Sequence, residues 1–124
     1  MKTTQSHTTN VNKLLHERQK SRFYGVMKEN QATPPMLVIK HRSGNETAYG
    51  YHFLSKRIDF NPSKGIQLTF ADSENAETVM IEGQNLLPLW EALTAHRVTF
   101  ICELADEFDV PEDGELCVSG VSLR

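Results

Sequence analysis

The sequence predicts an α+β fold in a single domain, built mainly on an antiparallel β-sheet of about six to seven strands. Apolar residues alternate with polar residues in several short segments between residues 47 and 123, and residues 36–39 form a continuous apolar run. Short polar turns separate these alternating segments, which favours hairpins between neighbouring strands. Residues 86–96 instead repeat their apolar residues at helical spacing, so we expect one amphipathic helix packed on the sheet.

Length and composition support this class. The chain has 124 residues, of which 39% are apolar and 23% are charged, values close to those of soluble globular domains. The longest apolar runs are much shorter than the roughly 20 residues that a membrane-spanning helix needs, and the first residues lack the apolar stretch of a secretory signal. We therefore expect a cytoplasmic protein with no membrane partner and with both cysteines as reduced thiols. Residues 1–9 are expected to be a disordered tail and residues 10–124 the domain.

The N-terminal region predicts a basic helix. Val11, Leu14 and Leu15 lie on one helical stripe, and Gly25 can end the helix, so we predict a helix over residues 11–23. Most charged side chains in this segment are basic.

The strand predictions follow from alternation and from turn residues. We predict strands over residues 36–42, 47–53, 54–60, 66–70, 78–82, 98–102 and 116–123, the last as an edge strand. Asn61–Gly65 should form a reverse turn, because Pro62 presets its backbone and Gly65 can adopt a positive φ. Residues 103–115 contain seven acids and no base, which indicates an acidic loop or a frayed helix.

The helix predicted over residues 86–96 has two interpretations. Asn85 is a suitable N-cap, and Leu89, Trp90 and Leu93 form a stripe that can cover the sheet. Leu87 lies off this stripe and widens the apolar face. Leu87 and Trp90 are therefore candidates for an interaction surface, the alternative being a helix that packs only on its own core.

Charge is divided unevenly along the chain. Residues 1–57 contain ten Lys and Arg against three Asp and Glu, whereas residues 58–124 contain three against thirteen, giving formal charges of +7 and −10. Such asymmetry can mark a surface for a charged partner, or the two halves can neutralise each other inside one fold. We favour neutralisation, with the basic helix packed beside the acidic segment 103–115 of the same or a neighbouring chain.

Nucleic-acid binding is the main alternative. Basic side chains of the first half would contact the phosphates of RNA or single-stranded DNA. The candidates are Lys13, Arg18, Lys20, Arg22, Arg42, Lys56 and Arg57. The net charge of −3 argues against this function, because nucleic-acid-binding domains are usually basic.

The sequence offers little for catalysis. It contains no phosphate-binding glycine loop, nucleophile elbow or paired zinc ligands, so no metal or cofactor is predicted. His41, His52 and Asp59 are the best acid/base candidates, because hairpin pairing and the next strand could bring them together. The first hypothesis is a small non-enzymatic interaction module able to self-associate as a homo-oligomer, and an enzyme using these three residues is a further alternative.

Overall fold

Eight strands and one α-helix form the regular structure of this computed structural model, which describes residues 21–28, 32–106 and 108–124. In chain order they are β1 (Tyr24–Val26), β2 (Met36–Lys40), β3 (Glu46–Gly50), β4 (Asp59–Asn61), β5 (Gly65–Ala71), β6 (Ala76–Gln84), α1 (Leu87–Thr94), β7 (Val98–Cys102) and β8 (Cys117–Leu123). A 3-10 turn, Tyr51–Phe53, follows β3. The predicted α+β class, dominated by antiparallel strands, is confirmed.

The strands form two sheets rather than the single sheet that was predicted. The first has the order β1-β7-β2-β3 and the second the order β4-β5-β6-β8. The change of sheet occurs at the Tyr51–Phe53 turn, after which Leu54 pairs with Phe70 of β5. After the helix, β7 lies between β1 and β2, antiparallel to β1 and parallel to β2. The other strand pairs are antiparallel.

One hydrophobic core is shared by the inner faces of both sheets and by α1. Leu37 and Ile39 of β2 belong to it together with Leu68 of β5, and each is fully buried. Leu89 and Leu93 supply the helix side of this core and are also fully buried. At roughly 1.5–3 kcal/mol for each fully buried Leu or Ile side chain, this shared core is the main source of stability.

Two of the predicted strands are shorter than the alternation indicates. Residues 51–53 of the segment 47–53 form the 3-10 turn instead of strand, and the exposed Phe53 ring lies outside the core. In the segment 54–60 only its end enters β4. Alternation marks the apolar positions here, but the chain needs this turn in order to pass from one sheet to the other.

The N-terminal helix predicted over residues 11–23 lies outside the described residues, except for its last three positions. These three positions are not helical, and β1 begins directly after them. Phe23 is buried in the core, and its carbonyl accepts a hydrogen bond from the Cys102 N–H at 2.8 Å. The pairing of β1 with β7 therefore replaces the predicted end of the helix.

The helix predicted over residues 86–96 is confirmed as α1, although it spans only Leu87–Thr94. Asn85 is not its N-cap. The Asn85 backbone has a φ of 56°, and its side-chain amide donates to the Glu115 carbonyl at 3.1 Å. No helix among the described residues combines the length and the apolar character needed to cross a membrane.

The predicted turn before β5 is confirmed. The Lys64 N–H donates to the Asn61 carbonyl at 3.0 Å, and Gly65 has a φ of 119°. A Cβ atom at Gly65 would also collide with the Ile81 carbonyl of the neighbouring strand. This position therefore needs glycine both for its backbone conformation and for its close approach to β6.

The phenols of two buried tyrosines differ in their hydrogen bonding. The Tyr51 hydroxyl donates to the Val98 carbonyl at 2.6 Å, whereas the Tyr49 hydroxyl makes no well-aligned hydrogen bond among the described residues, although the Glu77 carboxylate lies near it. Burial raises the pKa of both phenols above the ordinary tyrosine value, and the Glu77 carboxylate raises that of Tyr49 further, so both are neutral at physiological pH.

We predict that Tyr51→Phe lowers the free energy of unfolding by about 1–2 kcal/mol, because it leaves the buried Val98 carbonyl without its donor. Tyr49→Phe is the matched control. It removes a buried hydroxyl that makes no well-aligned hydrogen bond and lies near the Glu77 carboxylate, so its effect should be smaller, below about 1 kcal/mol. Urea denaturation of both variants measures the difference, and equal losses would contradict the prediction.

Candidate functional site

The β2–β3 hairpin separates the two histidines predicted to form an acid/base site. His41 follows β2 at the hairpin turn, where its N–H donates to the Asn45 carbonyl at 2.8 Å. His52 lies beyond the other end of β3, and its ring contacts Phe53 with a centroid distance of 4.0 Å. With about six strand residues between them, the two histidines are on the order of 20 Å apart.

Asp59, the third member of that predicted site, lies on β4 in the second sheet. Its carboxylate accepts a hydrogen bond from Arg57 Nε at 3.2 Å, and both side chains are exposed. The structure therefore does not bring His41, His52 and Asp59 together, and their geometry gives no support to the enzyme hypothesis.

His41 instead lies between a hydroxyl and a carboxylate that sequence analysis did not select. Its Nε2 atom is 2.9 Å from Thr47 Oγ1, and its Nδ1 atom is 3.4 Å from Glu103 Oε1. A hydroxyl, an imidazole and a carboxylate in this order can activate the hydroxyl as a nucleophile. Glu103 is distant from the hairpin in sequence, so no local spacing could reveal the contact.

The Glu103 carboxylate is already committed to backbone groups. Oε1 accepts the Arg42 N–H at 3.1 Å, and Oε2 accepts the Val121 N–H at 3.0 Å. The side chain is only 13% exposed. Because this carboxylate bonds the end of the first sheet to β8 of the second, we interpret the set of Thr47, His41 and Glu103 as structural.

Residues that follow strands of the first sheet bond to part of the outer edge of β8. Besides the bond to Glu103, the Val118 carbonyl accepts the Leu104 N–H at 2.8 Å. The Arg42 guanidinium donates to the Ser119 carbonyl at 2.7 Å and to the Leu104 carbonyl at 2.9 Å. The Val121 N–H and the carbonyls of Val118 and Ser119 are therefore unavailable to another strand.

The outer edge of β3 is different. Backbone hydrogen bonds join His41 to Asn45 and Tyr51 to Pro35. In an antiparallel pair, residues that bond to the neighbouring strand alternate with residues whose N–H and C=O groups point outward. In this register, the groups of Glu46 and Ala48 point away from β2. Both residues are exposed. Within the described residues, their backbone groups have no hydrogen-bond partner. We call these outward groups the β3 edge.

The remaining edge strands are shorter. β1 and β4 have three residues each, against five in β3. At the end of β3, the rings of His52 and Phe53 lie close to Gly50 and limit access to that residue. On the longer edge strand of the first sheet, the β3 edge therefore presents two exposed residues for pairing.

Leu87 and Trp90, predicted as an interaction surface, differ in exposure. The Leu87 side chain is 53% exposed at the start of α1. Trp90 is partly buried against the core, and its ring stacks on Phe60 with a centroid distance of 5.6 Å. The sequence-based surface is thus reduced mainly to Leu87.

The basic residues predicted for nucleic-acid binding do not form one free surface in the described part of the chain. Arg22, Arg42 and Arg57 each bond to acceptors of the same chain. Lys56 is exposed. Lys13, Arg18 and Lys20 lie outside the described residues. Between positions 21 and 124, leaving aside residues 29–31 and 107, no group of three or more potential metal ligands occurs.

We predict that Glu103→Ala lowers the free energy of unfolding by about 2–4 kcal/mol, because two backbone N–H groups lose a charged acceptor. Glu74→Ala removes a carboxylate from an exposed loop and should change stability by less than about 0.5 kcal/mol. Thermal and urea denaturation compare the two variants. Equal stabilities would show that the Glu103 contacts contribute nothing measurable.

Comparison with known proteins gives no relative for this chain. No protein-family model matches it. No curated protein and no solved structure matches it either. The functional argument therefore depends on the contacts described above.

Proposed function

We propose that this protein is a small, non-enzymatic interaction module that self-associates by pairing the β3 edges of two copies. The observation that carries this proposal is the exposed, unpartnered backbone of Glu46 and Ala48. A strand edge of this kind offers its N–H and C=O groups to another extended segment. The β8 edge of the same molecule differs, because the Glu103 and Arg42 side chains bond there to backbone groups that a further strand would need.

A second copy is the occupant that best fits the sequence of β3. Two β3 strands can run antiparallel about a two-fold axis, with Glu46 of one copy opposite Ala48 of the other. This register exchanges about four hydrogen bonds and uses only exposed backbone groups. It also places the two Thr47 residues opposite each other, a favourable cross-strand pair, and no like charges face each other directly.

The expected assembly is weak and intracellular. Pairing at two residues of each strand buries a small area, as transient interfaces do, so we expect a dimer that dissociates at micromolar concentrations. We also infer a cytoplasmic setting. Both Cys102 and Cys117 are free thiols, which is the usual state in that compartment.

We predict that Ala48→Pro raises the dimer dissociation constant at least about tenfold, because each copy loses one outward N–H donor. The bonds between β2 and β3 come from the neighbouring residues, so the fold should remain. Sedimentation velocity at tens of micromolar measures the association, and circular dichroism checks the fold. A wild-type chain that stays monomeric at this concentration would overturn the proposal.

Charge substitutions at the same position test the register. Ala48→Lys should strengthen the dimer several-fold, because the new cation lies opposite Glu46 of the second copy, and Ala48→Glu should weaken it by a similar factor. Leu87→Ser is the control for the helix surface and should leave the association unchanged. If Leu87→Ser dissociates the dimer and Ala48→Pro does not, self-association uses the surface of Leu87 and Trp90 instead.

A further inference from the structure

An exposed apolar patch lies within the acidic segment that follows β7. Phe108 is 83% exposed and Val110 is 78% exposed, the highest values among the large apolar side chains of the described residues. Asp106 and Asp109 flank these side chains. We call these four residues the acidic-loop patch. Adjacent exposed apolar side chains of this size, rimmed by charge, are typical of a surface that another segment covers.

One basic residue of the N-terminal half already binds at this patch. Arg22 Nη1 donates to the Asp109 carboxylate at 2.7 Å, and Arg22 Nε donates to Glu115 Oε2 at 3.1 Å. The Glu112 N–H and the Arg22 guanidinium both lower the pKa of Glu115. Arg22 therefore fixes the start of the described chain against the acidic segment.

We propose that residues 10–20 of the same chain cover the acidic-loop patch. Residue 20 is only two positions from Arg22, so it lies within about 7 Å of that residue's backbone. The segment carries apolar Val11, Leu14 and Leu15 for Phe108 and Val110. This inference is independent of the proposed self-association.

Charge complementarity selects the same occupant. Residues 10–20 carry basic Lys13, Arg18 and Lys20 against a single acid, Glu17, whereas residues 103–115 contain no base. Individual exposed ion pairs are weak. The tether at Arg22 compensates for this, because a short linker holds the segment at an effective concentration in the millimolar range. A contact with a dissociation constant of about 0.1 mM would then be roughly nine-tenths formed.

The test compares amide NMR spectra of the full-length chain with those of the triple variant Lys13→Glu, Arg18→Glu and Lys20→Glu. Three attractive pairs become repulsive, so the docked state should become at least about tenfold less populated. We expect amide shifts concentrated in residues 106–115, with the strands unchanged. The reciprocal variant, Phe108→Ser with Val110→Ser, should shift the amides of residues 10–20 without altering any of these charges.

The matched control is the triple variant Lys28→Glu, Lys56→Glu and Lys64→Glu, which makes the same charge change at exposed positions. It should leave the amides of residues 106–115 unchanged. Raising salt from 50 to 500 mM should produce shifts in the wild-type chain like those of the first variant. Absence of shifts at residues 106–115 would overturn the proposal. Shifts that disappear on tenfold dilution of the wild type would assign the patch to a second copy and would also overturn it.

Discussion

The carboxylate of Glu103 is the contact on which the arrangement of the two sheets depends. It accepts one N–H from Arg42, just beyond β2, and one from Val121 in β8. A single side chain at the end of β7 therefore bonds to both sheets. Because the shared core requires the inner faces of the two sheets to remain apposed, these two bonds fix the separation at one end, while the Tyr51–Phe53 turn fixes it at another.

This junction also determines which edges remain open. Glu103, Leu104 and Arg42 supply partners to three outward backbone groups of β8, so that part of its edge is occupied. Closing an edge with side chains and loops is a common protection against unwanted pairing. β3 lies at the opposite edge of the first sheet from β1, and no described element covers it. The outward groups of Glu46 and Ala48 are therefore open, whereas several of those on β8 are occupied.

The sequence predicted those features that depend on local pattern. A continuous apolar run located β2, alternation located β5 and β7, and helical spacing located α1, because burial imposes these patterns directly. The parallel pairing of β2 with β7 was missed, since alternation is the same for either direction of pairing. The contact between His41 and Glu103 was also missed, because the two residues are far apart in sequence and nothing near His41 in sequence indicates it.

The uneven charge distribution has a partial explanation in the structure. Arg22 pairs with Asp109 and Glu115 of the acidic segment 103–115, whereas the Arg42 guanidinium donates to the carbonyls of Leu104 and Ser119. The Arg22 pairs favour neutralisation within the chain over a free basic surface. Together these bonds remove Arg22 and Arg42 from the cations that a nucleic acid could reach without breaking existing bonds.

The two proposed surfaces lie at opposite edges of the first sheet, whose strand order is β1-β7-β2-β3. Arg22, two positions before β1, bonds to Asp109 and Glu115, so the acidic segment is held at the β1 end of this strand order. Self-association would use β3, with two strands between these edges.

Each sheet strand adds about 4.8 Å, so the edges are separated by on the order of 14 Å across the sheet. That distance exceeds the Debye length of roughly 8–10 Å at physiological salt, so the charges of one surface act only weakly at the other. Coverage of the acidic-loop patch therefore neither requires nor prevents pairing at β3.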